Sequence, residues 1–198
     1  MNSPSAHIVL AHCHEDVSYV TNFKYKYTII SRRGIPRGRP PNIGNEGSVY
    51  LEYIIKNYNN LSDYTFFIHA HRNHWHHKSN IDDKINNIEF KYGYYNINEV
   101  QKDNLYSVMK SGDGYTDDYL VCLKEFMEYM GLNFDYENMY CRVSAQFYVS
   151  RENIHRNPLE FYVKMYKWVM TTQYKVRCGY VMEHIWHIIF TGNIVDTF

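Results

Sequence analysis

The chain has 198 residues, 21 basic against 21 acidic, and a formal net charge of zero. That balance excludes a protein whose main task is blanket neutralisation of nucleic-acid phosphate, so any anion site must be local. The length fits one domain and buries a core without cross-links; Cys13, Cys122, Cys141 and Cys178 form no CxxC pair and indicate neither a zinc ribbon nor a disulfide framework.

The N-terminal stretch MNSPSAHIVLAH lacks the basic region of a secretory leader, and no run approaches the ~18 apolar residues of a membrane span. A cytoplasmic protein without a transmembrane segment is expected. His7–Cys13 is a short apolar run that predicts a buried opening strand. Glu15–Phe23 suggests a short helix, and Tyr25–Ser31 a second strand. RRGIPRGRPPNIG then breaks all periodicity with Gly and Pro. Asn45–Tyr58 has the spacing of an amphipathic helix packed on a sheet. Tyr64–His69 is the third predicted strand.

Residues 73–113 are polar, rich in Asn and Tyr, and read as a long excursion with one short helix that covers or flanks a site. Asp117–Met130 predicts an amphipathic helix ended by Gly131, and Met139–Val149 another strand. Ser150 suits a helix cap, Pro158 the start of a helix to Met170, and Met182–Phe190 a last apolar helix. Strands alternating with helices over short connections predict a single α/β domain: a mixed sheet flanked by helices. Twenty-one tyrosines beside abundant Asn, Ile and Lys look like a compositional bias, so single tyrosines carry little weight.

Four segments carry candidate chemistry. Arg32, Arg33, Arg37 and Arg39 fall within eight residues, just before the helix start Asn42–Glu46 that includes Gly44. Guanidinium groups beside helix N-terminal amides suit a phosphate or pyrophosphate; a solvated loop is the competing reading. In AHCHEDVSY, at the end of the first strand, Glu15 and Asp16 either cap a helix or contact a ligand. FFIHAHRNHWHH holds five of the chain's eleven histidines within nine residues. His69 and His71 share a strand face and could act as metal ligands, while Arg72 could meet an anion. In EHIWH, Glu183 and His187 lie one helical turn apart with His184 beside them, so these groups either satisfy the core or reach a cleft.

The ordered blocks HEDVSY, PNIGNEGSVYLEYIIKNYNNLSDYTFFIHAHRNHWH, SAQFYVSRENI, NPLEFY and EHIWHIIF resemble, over His7 to Phe190, a domain-of-unknown-function family of fungal, bacterial and large-DNA-virus proteins. That family is grouped with GT-A nucleotide-sugar glycosyltransferases, and capsid-decorating viral glycosyltransferases look related. The resemblance implies a GT-A-like fold and transfer of a sugar from a nucleotide sugar, a UDP-sugar first, to a glycan or glycoprotein acceptor. It places His12, His14, Glu15 and Asp16 against the nucleoside. Arg32, Arg33, Asn42, Gly44 and Arg72 then meet the phosphates, and Glu46 or Glu183 acts as base.

Where GT-A enzymes hold a divalent metal on Asp-x-Asp, this chain has His69-Ala70-His71. Either these hold Mn²⁺, which imidazoles suit better than Mg²⁺, with His187 or a carboxylate such as Glu183, or Arg72 and the arginine loop replace the metal. The chain also departs from the family pattern at Cys13-His14 and at Asn45. A metal-dependent hydrolase built on the histidines, and an inactive glycan-binding or virion protein, are the competing readings.

Overall fold

The computed structural model describes residues 3–75, 77–100, 102–104, 117–142 and 145–196. Three parallel strands open the fold: β1 (Ala6–His12), β2 (Lys26–Ser31) and β3 (Tyr64–His69). β1 lies between the other two, with Leu10 opposite both Ile29 and Ile68. Two antiparallel strands extend the sheet beyond β3. They are β4 (Tyr94–Asn96) and β7 (Phe147–Ser150), in the order β2-β1-β3-β7-β4. A separate ribbon pairs β5 (Asp103–Asn104) with β6 (Tyr140–Cys141). The helices are α1 (Asn45–Asn57), α2 (Ile81–Asn87), α3 (Asp117–Met130), α4 (Arg151–Ile154), α5 (Leu159–Thr171) and α6 (Arg177–Thr191).

Strand alternation divides the core in two. Ile8, Leu10, Phe66 and Ile68 face Tyr19, Phe23, Ile81 and Ile85 on one side. Val9 and Phe67 face Tyr50 and Ile54 of α1, with Trp168 and Trp186 behind them, on the other. The chain thus passes from β1 to β2 over one face, and from β2 to β3 through α1 over the opposite face. With β1 in the middle, the strand order reverses between β1 and β3. The carboxyl ends of those two strands are where an open α/β sheet leaves a crevice for ligands.

The α1 N-terminus is set against this crevice by close backbone packing. Gly44 has φ 74°, and a Cβ there would lie 2.5 Å from Val169 Cγ1. Gly179, in the first turn of α6, has no room for a Cβ either, because Asn45 Nδ2 would be 2.5 Å away. A side chain at either position would push α1 off α5 and α6.

Several sequence expectations need correction. The helix expected at Glu15–Phe23 is only a 3-10 turn at Ser18–Asn22. Asp16 takes the Ser18 N–H at 2.9 Å and the Ser18 hydroxyl at 3.0 Å, turning the chain locally in competition with an α-helix. The strand expected at Met139–Val149 is two strands in different sheets, since β6 pairs with β5 while β7 inserts between β3 and β4. The excursion 73–113 supplies α2, the edge strand β4 and β5; its residues 76, 101 and 105–113 lie outside the described set. The last helix starts at Arg177, five residues before the apolar run. Ser150 does cap α4, accepting the Asn153 N–H at 3.2 Å. No helix among the described residues is long and apolar enough to cross a membrane.

Candidate functional site

Two adjoining cavities occupy the carboxyl ends of β1 and β3, sharing His14 and Glu15. The larger, about 640 Å³, is also lined by Asp16, Ser18, Tyr19, Asn22, His71, Arg72 and Asn73. The smaller, about 260 Å³, lies against the start of α1 and is lined by Arg32, Arg37, Asn42, Asn45 and Glu46, with His12 and Cys13.

Glu15 organises the boundary between them. Its Oε2 accepts the backbone N–H groups of Cys13 at 2.7 Å and His14 at 3.0 Å, while Oε1 lies 3.6 Å from His71 Nε2. Partial burial alone would raise its pKa. The backbone hydrogen bonds and the neighbouring His71 outweigh that and hold the carboxyl below its ordinary value. The result is a fixed carboxylate at the lip of β1. His12 closes the same lip, its ring bridging Ser31 Oγ at 2.9 Å and the Glu15 carbonyl at 3.2 Å.

The arginines divide by partner. Arg32 is buried and donates to Glu52 at 2.5 Å; Lys56 meets the other Glu52 oxygen at 2.7 Å. Arg72 is held in a fork by Asp82, with two contacts of 3.0 Å, and Asn22 donates to the same carboxylate at 2.7 Å. Both guanidinium groups expected on phosphate are therefore charge-paired within the fold, although each lines a cavity. Arg33 is exposed and lines neither cavity. Arg37 is the arginine presented at the crevice by a neutral contact: its Nε donates to Asn45 Oδ1 at 2.8 Å, and it lies 5.7 Å over the Tyr180 ring. Asn42 is spent on the loop, donating to the Ile35 carbonyl at 2.7 Å.

His69, His71, His74 and His77 lie within one another's electrostatic reach, while His187 does not join them. His71 lines the larger cavity and stacks on His74, ring centroids 4.8 Å apart. His69 lines neither; its N–H donates to Gln146 Oε1 at 3.2 Å, and burial lowers the pKa of its ring against the opposing field of Glu46. His77 is buried and donates from Nδ1 to the Ser79 carbonyl at 2.7 Å. His187 is 3 % exposed in α6, in the field of Asp196, and lines neither cavity. His184, beside it, meets the Tyr119 hydroxyl at 2.8 Å and serves the core. Glu183 is half-buried on the same helix; its charge acts on Tyr50 and Cys141, and it lines neither cavity.

Among the described residues, no group of three or more His, Cys, Asp or Glu side chains is placed to hold a metal ion. Of the expected ligands, His69 and His71 lie in each other's field and in that of Glu15, whereas His187 is apart in α6, so the three do not form one group. Sequence reasoning passed over Asn22, Asp82 and Glu52, and noted Asn45 only as a departure from the family pattern, yet these four determine what the arginines can do. Local signal existed only for Asn45, at the helix start; the other three come from distant segments.

Residues 8–197 match the family model described as Protein of unknown function (DUF3431), and the chain belongs to that family. The description names no activity and links the chain neither to GT-A glycosyltransferases nor to viral capsid proteins. No curated protein and no solved structure matches the chain.

Proposed function

We propose that this chain is a glycosyltransferase that moves a sugar from a nucleotide sugar, a UDP-sugar first, to a glycan or protein acceptor. The observation that supports it best is the paired crevice at the β1/β3 switch point. Its smaller lobe sets Arg37 beside the α1 N-terminus, and its larger lobe carries Glu15, His71 and Asn73. Backbone amides at the start of a 13-residue helix and a guanidinium group suit a diphosphate. The charge that develops on a departing nucleoside diphosphate needs such fixed partners.

In this reading the nucleoside occupies the larger lobe and the diphosphate the smaller. Glu46, in the first turn of α1, lines the lobe that holds the diphosphate. It takes the proton of the acceptor hydroxyl as that oxygen bonds the anomeric carbon and the sugar–phosphate bond breaks. Among the described residues no group of three or more His, Cys, Asp or Glu side chains is placed to hold a metal ion, so the reading is built on Arg37, the α1 amides and Glu46.

A thermal-shift and calorimetric panel of UDP-, GDP- and CDP-sugars, run with and without Mn²⁺, tests the proposal. A nucleotide sugar that binds the folded chain should raise its melting temperature by mass action, equally in both conditions. Arg37→Ala should weaken that binding about tenfold, the scale of one charge-assisted contact. If no nucleotide sugar binds at millimolar concentration, the reading is wrong.

A further inference from the structure

A second concave site lies on the same face of the sheet, at the far end of α2 from the crevice. Asp82, in the first turn of α2, clasps Arg72 at the crevice, while Asn87, at its last turn, lines a separate cavity of about 470 Å³. Five residues of helical rise put the two places about 8 Å apart. Tyrosines form the wall of this second cavity: Tyr92, Tyr95 and Tyr148, with Asn87, Ile88, Glu89 and Lys91 around them.

Three features define its chemistry. The rings are stacked, Tyr92 on Tyr95 at 6.0 Å and 8°, and Tyr95 on Tyr148 at 5.5 Å and 23°. Tyr148 is buried and anchors the stack, while Tyr92 is 37 % exposed. Stacking removes ring freedom in advance, so a ligand meets a rigid amphipathic face at small entropic cost. Beside it stands an ion pair, Glu89 to Lys91 at 2.8 Å, with both side chains mostly exposed. Adjacent acceptor and donor groups of opposite charge repel neither sign outright and reward a ligand whose neighbouring groups both donate and accept.

We propose that this cleft binds a neutral carbohydrate. A pyranose offers an apolar C–H face for the Tyr92 ring and vicinal hydroxyls, each donor and acceptor, for Glu89, Lys91 and Asn87. A simple ion is attracted by one member of the pair and repelled by the other, and an apolar ligand makes no use of either. A sugar satisfies all three features. The inference goes beyond the transferase reading; where that reading holds, the cleft anchors an acceptor glycan whose end reaches the crevice along α2.

Titration of the full chain with neutral saccharides settles it: glucose, galactose, mannose, N-acetylglucosamine and their β-linked dimers, followed by saturation-transfer NMR and calorimetry. At least one should bind in the millimolar range. Tyr92→Ala, at unchanged melting temperature, should weaken it tenfold or more, and Tyr92→Phe should stay within about twofold. Nucleotide-sugar affinity should not change in either variant. Absence of saccharide binding, binding indifferent to Tyr92→Ala, or a preference for a proline-rich peptide overturns the proposal. Saccharide binding through Tyr92 in a chain that ignores every nucleotide sugar would overturn the transferase reading and uphold this one.

Discussion

Between pH 6.5 and pH 3, His184 alone is expected to remove about 5 kcal/mol from the stability of the fold. Its ring is fully buried against Tyr119, and burial, with a smaller contribution from nearby His187, pushes its pKa down to about 3. An unfolded chain protonates histidine near its ordinary value of 6.5, while the folded chain holds the ring neutral. Below 6.5 the unfolded state therefore binds the extra proton, and stability falls by about 1.4 kcal/mol per pH unit until the folded ring titrates. Above 6.5 the contribution is complete. His7, His69, His77 and His187 are lowered by burial as well, so their effects carry the same sign. Typical domains hold only about 5–15 kcal/mol in reserve, so acid unfolding well above pH 3 is expected. Urea midpoints at pH 7, 6, 5 and 4 should show the fall. His184→Gln should start lower at pH 7, by about 1–3 kcal/mol for the disrupted contact with Tyr119, yet decline less steeply. Parallel pH profiles for the two proteins would remove His184 from the account.

Arg32→Ala should cost about 3 kcal/mol, with the crevice floor loosened in consequence. The change leaves Glu52 partly buried without its closest cation, and a broken buried pair is far more costly than an exposed one. Lys56 still reaches Glu52, which keeps the loss near the low end of the range for buried pairs. Replacing both partners, Arg32→Met with Glu52→Leu, should recover most of the stability, because an apolar pair of similar volume leaves no stranded charge. A chemical-denaturation cycle over the two singles and the double measures this directly. If Arg32→Ala is as stable as the parent, the arginine is not a structural ion, and its role as a phosphate ligand returns.

The α/β architecture was readable because the strands that matter most are apolar runs bounded by turn residues. Tyr64–His69 stands at its predicted bounds, and β1, β2 and α1 lie within a residue of theirs. β4 has only three residues, too few to display a period of two, and β7 hides in a run shared with β6. The polar opening of α6 is helical because Gly179 packs on Gly44 and Asn45, a contact 135 residues apart that no local pattern reveals.

That the strand ends HCHED and HAHR meet was legible from the strand pattern, and His14, Glu15, His71 and Arg72 line one candidate crevice. Its chemistry was less so. Whether an arginine is available depends on Asp82 or Glu52, and whether histidines converge depends on backbone directions after a strand ends. The tyrosine cleft was invisible for a different reason. In a chain with 21 tyrosines, only the fold distinguishes the three that stack beside an ion pair.

The strand order has a consequence in time. β7 fills the slot between β3 and β4, yet it is made some eighty residues after β3 ends. At ribosomal speeds of about 5–20 residues per second, the β3 edge waits roughly 4 to 16 s for its partner. During that interval Phe66, Phe67 and Ile68 sit on a strand with one open edge and rich in β-forming side chains. The parallel half of the sheet, which carries the crevice, is thus synthesised first and protected last.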